Sequence, residues 1–275
     1  MKSMIILGLS ILFIVTMSSC RQKAIVKNDM VLDQDLREKF EIVSRHRIFF
    51  GHKSVGDDIV DGLRLISTKN AKPPLKILLI DQPSADTVPA AYFLHAKIGK
   101  NGDCISKAAA FSVNMDDVRL KDVEVVLFKF CFIDFNTDTN VDSVFSIYAD
   151  TLKMLEGRFP RVKFIYATVP LLSRYGYSGP IKGRLKELFG MKNDNIVRAR
   201  YNNKIRQTFP ERRIFDIARI ECTDSEGNSN FDVVNGDTVY HLFDEYSYDG
   251  GHLNQIGQKL VAQGLIKSIV ATLEE

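Results

Sequence analysis

Apolar runs alternate along this chain with apolar stripes at helical spacing, the pattern of βαβ units around a parallel sheet covered on both faces. Ile48-Phe49-Phe50 is a short apolar strand, and Val55, Ile59, Leu63 and Ile66 fall on one helical stripe directly after it. Leu75–Ile80 predicts a second strand. Val123–Phe130 is apolar apart from Glu124 and Lys129, which predicts a central strand buried on both faces. A helix follows over Val141–Arg158, with Val144, Phe145, Tyr148, Leu152 and Leu155 on its buried side, and ends before Pro160. Val162–Val169 is the next strand, stopped by Pro170. A polar, basic helix over Asn193–Phe209, a short strand over Arg213–Ile217 and a closing helix over Leu253–Leu273 complete the series. The expectation is a three-layer α/β/α sandwich with a five-stranded parallel sheet, forming one domain over residues 31–275. Val31–Val43 reads as an extra helix on the outside.

The start of the chain is different. Lys2 precedes an apolar run from Met4 to Met17, shorter than the ~20 residues of a membrane-spanning helix and suited to a signal-peptide core. Met17-Ser18-Ser19-Cys20 resembles the lipobox of bacterial lipoproteins, which implies a signal peptide over 1–19, lipidation at Cys20 and a tether over 20–30. The protein is then expected in the bacterial cell envelope, held to a membrane through its lipid. A plain secretory signal is the alternative.

Composition narrows the partners. The 275 residues are 45% hydrophobic and 26% charged, as in ordinary globular proteins. Lys and Arg number 37 against 34 Asp and Glu, and a net charge of +3 is too small a field to argue for nucleic acid. Cys104, Cys131 and Cys222 are an odd number at wide spacing, neither a disulfide framework nor a zinc arrangement, and their expected role is packing. No metal and no cofactor is predicted.

Ligands of an open parallel sheet bind beyond the carboxyl ends of its strands, so those loops hold the candidate chemistry. The first, Gly51-His52-Lys53-Ser54-Val55-Gly56, enters a helix and places Ser54 beside unpaired backbone N–H groups. Ser54-Val55-Gly56-Asp57 is equally a capping box, with the serine as a helix cap. The second is Tyr248-Asp249-Gly250-Gly251-His252-Leu253-Asn254, before the closing helix. Two glycines let the chain fold tightly enough for Asp249 to hold Nδ1–H of His252 while Nε2 faces outward; the alternative is an Asp-Gly turn with a surface histidine. A serine nucleophile needs a base, and the base needs a third group to fix its tautomer. Ser54, His252 and Asp249 together describe a serine hydrolase, without the Gly-x-Ser-x-Gly elbow of α/β-hydrolases.

Ser54 after the first strand, with Asp249-Gly250-Gly251-His252 followed by Leu253-Asn254 and Gly257 before the last helix, resembles the SGNH, or GDSL-type, esterase and lipase family. The resemblance implies a flavodoxin-like sandwich from about Arg47 onward, with Ser54 as nucleophile, His252 as general base and Asp249 as its orienting acid. The family's first block reads Gly-Asp-Ser, whereas this chain has Gly-His-Lys-Ser. Its oxyanion hole implies donors from Ser54 N–H, from a glycine in Gly99-Lys100-Asn101-Gly102-Asp103 (Gly102 first, Gly99 second), and from an asparagine side chain. That asparagine is missing, because the loop after Val123–Phe130 reads Cys131-Phe132-Ile133-Asp134-Phe135-Asn136. Losing one such donor costs about 3–4 kcal/mol of transition-state stabilisation, so Asn101 or Asn136 is a candidate replacement. Asp134 is either a site carboxylate or a polar strand terminus.

The expected function is an exported serine esterase acting on a small-molecule or glycan ester, such as an acetyl group on a carbohydrate. Lysophospholipase and acyltransferase activities would use the same residues, and a non-catalytic envelope binding protein is the rival of a different class. Tyr175-Gly176-Tyr177-Ser178-Gly179-Pro180 is read as a flexible loop at the same edge, the alternative being a tyrosine stacking wall for a sugar ring or acyl group; the basic run Lys182–Arg213 is read as a solvated face, and His46, His95 and His241 as structural.

Overall fold

Six strands lie side by side in the order β2-β3-β1-β4-β5-β6, every pair parallel. They are β1 (Arg47–His52), β2 (Ile77–Leu79), β3 (Tyr92–Lys97), β4 (Val125–Phe128), β5 (Lys163–Ala167) and β6 (Ile214–Phe215). The computed structural model describes residues 32–70, 74–82, 90–176, 194–234 and 236–275. The expected signal peptide, Cys20 and the tether lie outside the described residues, as do Tyr177–Pro180 and Lys182.

The helices are α1 (Gln34–Val43), α2 (Val55–Asn70), α3 (Cys104–Asn114), α4 (Val141–Arg158), α5 (Asn195–Thr208), α6 (Ile217–Glu221) and α7 (Gln255–Leu273). Side chains alternate across the sheet because the strand period is two. Ile48, Phe50, Phe93, Val125, Leu127 and Ile165 pack toward α1, α2 and α7, in one core. Phe49, Leu94, Val126, Phe128 and Phe164 pack toward α3, α4 and α5, in the other. Both faces are thus covered, as the apolar strand runs require.

The sheet has six strands where the sequence pattern predicts five. Tyr92–Lys97 is the addition, and His95 and Lys97 interrupt the apolar run that would mark it. His95 is tolerated inside because its Nδ1 lies 2.9 Å from Nε2 of the equally buried His52 on the neighbouring strand. A hairpin of β7 (Phe231–Val234) and β8 (Asp237–Tyr240) stands apart as a second, antiparallel sheet. The basic run is not uniformly solvated either: on α5, Arg198 and Asn202 are 1% exposed. Arg198 donates to the carbonyls of Phe132 and Phe135, and Asn202 pairs with both backbone groups of Val169. Charge count cannot see that the polar stripe of α5 faces loops whose carbonyls need donors.

The strand order places β1 at the switch point of the sheet: the chain runs from β1 to β2 and β3 on one side and then to β4, β5 and β6 on the other. On the first core's side, α2 and α7 pack closely. A Cβ on Gly62 would come 2.2 Å from the carbonyl oxygen of Gln258 and 2.9 Å from Cβ of Ala262. Only glycine permits that approach. Gly62→Ala is therefore expected to destabilise the fold by about 1–3 kcal/mol, outweighing the ~1 kcal/mol that alanine gains in helix propensity. Chemical denaturation checks this, and a variant as stable as the parent would contradict the close approach.

Candidate active site

Helix α2 begins immediately after Ser54 and α7 shortly after His252, so packing these helices side by side brings the two residues together. Ser54 Oγ is 2.7 Å from His252 Nε2, and His252 Nδ1 is 2.7 Å from Asp249 Oδ2. The other carboxylate oxygen of Asp249 accepts the backbone N–H groups of Gly251 (2.9 Å) and His252 (2.7 Å). Burial pushes this carboxyl up, but those backbone bonds and the imidazole together hold it below the usual carboxylate value. An ionised carboxylate can only accept, so Nδ1 carries the imidazole proton and Nε2 is left to accept from the Ser54 hydroxyl.

Local sequence explains each position. Ser54 has φ of +54°, where a non-glycine residue is strained, and this is not the extended conformation of a helix cap. Its hydroxyl turns to the histidine instead. Gly250 has φ of +90°, and a Cβ there would meet the Gly176 carbonyl oxygen at 2.4 Å. The loop carrying Tyr175 and Gly176 thus braces the Asp249 turn, through Ser173 N–H donating to the Gly250 carbonyl at 2.8 Å. Asn254 caps α7, accepting from the N–H groups of Ile256 and Gly257. Around the imidazole, Phe132 packs edge-on at 5.6 Å and the exposed Tyr248 stacks at 5.9 Å.

The residues expected at the oxyanion separate. The registers His52↔Lys97 and Gly51↔Phe128 align the ends of β3 and β4 with that of β1, so Gly99 and Cys131 follow in the loops on either side of the one that carries Ser54. The N–H groups of Ser54 and Gly99 have no acceptor among the described residues. Gly102 is corrected: its N–H donates to Asp134 Oδ1 at 2.7 Å and is already used. Asp134 is corrected too. Its side chain is fully buried against Lys107 Nζ (2.8 and 2.5 Å) and accepts Cys131 N–H at 2.7 Å, so it anchors two loops and does not face substrate. Asn101 offers its oxygen to Lys107 at 3.3 Å, and Asn136 closes an exposed turn with Asp138 and Thr139. Cys131 is a buried free thiol whose Sγ donates to the Lys53 carbonyl at 3.3 Å; Cys104 and Cys222 are also free and buried. His52 is wholly buried, and its imidazole is kept neutral by burial and by the fields of His95 and Lys129.

Two neighbours were not singled out for the site from sequence. Asp58, one turn into α2, accepts Leu253 N–H at 3.0 Å and so ties the start of α7 to α2. Lys129 is 0% exposed and donates to the Lys53 carbonyl at 3.1 Å. The signal for Lys129 was present, as a lysine in a strand expected to be buried on both faces; nothing local marks Asp58. Among the described residues no group of His, Cys, Asp and Glu could hold a metal ion, and no helix is long and apolar enough to cross a membrane.

No family model matches the chain, and no curated protein matches it. Solved structures do resemble it. An acetyl xylan esterase has a TM-score of 0.40 at 15% identity, covering 80% of this chain and 97% of its own. The periplasmic domain of a lipopolysaccharide acetyltransferase from Salmonella ser. Paratyphi A has 0.45 at 18%, covering 82% and 84%. A lipolytic protein of the G-D-S-L family from Veillonella parvula has 0.40 at 12%, covering 80% and 96%. At these identities and scores no function transfers from them.

Asp58 gives the site a stability signature. Burial raises its carboxyl to about 6 against the pull of Leu253 N–H and His252. Because the folded value lies above the unfolded one, this group favours folding below its ordinary value near 3.8 and loses that advantage as pH rises through about 6. Asp58→Asn keeps an acceptor for Leu253 and cannot ionise. Unfolding free energies measured from pH 3 to 8 are expected to show the parent losing ground to the variant between about 4 and 6; a pH-independent difference would contradict the assignment.

Proposed function

We propose that this protein is a serine ester hydrolase of the SGNH type, with Ser54 as nucleophile, His252 as general base and Asp249 as the acid that orients it. The observation that carries the reading is the unbroken chain of two 2.7 Å hydrogen bonds, Ser54 Oγ to His252 Nε2 and His252 Nδ1 to Asp249 Oδ2. The Asp249 carboxyl is held below its usual value by its backbone bonds and the imidazole, and the three side chains lie in loops at the carboxyl edge of the sheet beside the switch point.

In this mechanism Ser54 Oγ attacks the ester carbonyl carbon and passes its proton to His252 Nε2. The C–O π pair moves onto the carbonyl oxygen, which the N–H groups of Ser54 and Gly99 receive. Collapse breaks the ester bond, the alkoxide leaves with the proton from His252, and the acyl group stays on Ser54. Water then gives a proton to His252, attacks the acyl carbon, and Ser54 departs as the hydroxyl. Asp249 stays ionised throughout and holds the imidazolium as it forms. We place the enzyme outside the cytoplasm, held at the envelope through Cys20, with an acyl group on a small molecule or glycan as its substrate class. Transfer of the acyl group to another hydroxyl would differ only in the final acceptor.

A fluorophosphonate probe is expected to label the wild-type protein on Ser54. Ser54→Ala abolishes labelling, and His252→Ala or Asp249→Ala slows it by about a hundredfold or more. Well-folded protein that takes up no probe would instead support a non-catalytic binding role.

A further inference from the structure

Lys129 is a buried lysine with no carboxylate in ion-pair contact among the described residues. Its Nζ is fully enclosed, and its partners among the described residues are the carbonyls of Lys53 (3.1 Å) and Phe130 (3.4 Å) and the sulfur of Cys131 (3.8 Å). The carboxyls of Asp58 and Glu221 feel its field, but its direct bonds all go to backbone carbonyls and a thiol, and such a group is costly to bury. Its shortest bond goes to one particular carbonyl, that of the Lys53–Ser54 peptide. Two further donors reach the same oxygen, Gly56 N–H at 3.1 Å and Cys131 Sγ at 3.3 Å.

The consequence follows from peptide geometry. In a planar trans peptide, C=O and N–H point in opposite directions. Pinning the Lys53 oxygen onto the buried Lys129 and Cys131 turns Ser54 N–H away from that buried side. A charge-assisted bond on the carbonyl also polarises the amide and strengthens its N–H as a donor. Without that hold, Ser54 would be free to leave its strained φ of +54°.

We propose that Lys129 is a positioning residue for the oxyanion: acting through the Lys53 carbonyl, it fixes and polarises the Lys53–Ser54 peptide, and so offsets the lack of an amide side chain at Cys131. The inference rests on the hydrolase reading above. It explains why the register position that lacks a side-chain donor sits two residues after a buried lysine. It also assigns Cys131 a concrete part, since its thiol bonds the same carbonyl oxygen and its backbone N–H is held by Asp134.

The test compares fluorophosphonate labelling of the wild-type protein, Lys129→Met and Lys129→Gln, with the first-order labelling rate separated from probe affinity. Lys129→Met removes donor and charge at similar length. It is expected to slow the labelling step by about tenfold or more while leaving probe affinity within about twofold, as for a lost oxyanion contact. Lys129→Gln, which keeps an N–H donor, is expected to fall between. The Ser54 amide resonance is read in parallel, since a bond on the preceding carbonyl sets its chemical shift, and it is expected to move in both variants. A folded Lys129→Met that labels like the parent would overturn the inference and leave the hydrolase reading standing. Should Lys129→Met not melt cooperatively, Lys129→Gln with parental labelling and an unmoved Ser54 amide overturns it in the same way. Wild-type protein that is never labelled overturns the hydrolase reading, and this inference with it.

Discussion

The close side-by-side packing of α2 and α7 is the constraint on which the rest of the site depends. Each helix begins just past one of the two residues, so their relative position is also that of the Ser54 hydroxyl and the His252 imidazole. Residues 198 positions apart in the chain are joined by a 2.7 Å bond. The contact is set partly by absence, since Gly62 has no Cβ to hold off Gln258. It is set partly by Asp58, whose carboxylate on α2 accepts the N–H of Leu253 at the mouth of α7. A large apolar core behind both helices, with Ile59, Leu63, Val261 and Leu265 fully buried or nearly so, keeps them there.

Buried charge organises the other half of the site. Asp134 and Lys107 form a fully enclosed ion pair that takes up the Gly102 and Cys131 N–H groups, tying the loop after β3 to the loop after β4. Such a pair is costly to desolvate and is tolerated because every polar atom finds a partner. By occupying the Gly102 and Cys131 N–H groups, it leaves Gly99 N–H without an acceptor among the described residues in the loop after β3. In the proposed mechanism the oxyanion is therefore received by backbone more than by side chains.

Much of this was legible in the chain. Ser54 and the Asp249–His252 pair could be read because their chemistry is local: a hydroxyl after a strand, and a carboxylate three residues before an imidazole with glycines between. Strands such as β4 and β5 could be read because burial on both faces forces continuous apolar runs. What stayed hidden depends on distant partners. β3 leaves no apolar run in the pattern, since His95 is acceptable there only because His52 lies across from it on β1. Arg198 looked solvated because its carbonyl acceptors, Phe132 and Phe135, lie 66 and 63 residues away. Gly102 looked like an open donor because its acceptor, Asp134, lies 32 residues further on.

The central claim is that the folded chain holds the Ser54 hydroxyl, the His252 imidazole and the Asp249 carboxylate in one hydrogen-bonded line. Nitrogen-15 NMR of the histidine side chains tests it most directly. The account predicts that neutral His252 is a single tautomer with its proton on Nδ1, that Ser54→Ala shifts the Nε2 resonance, and that Asp249→Ala releases the tautomer to a mixture. A neutral His252 protonated on Nε2, or one indifferent to both substitutions, would contradict it.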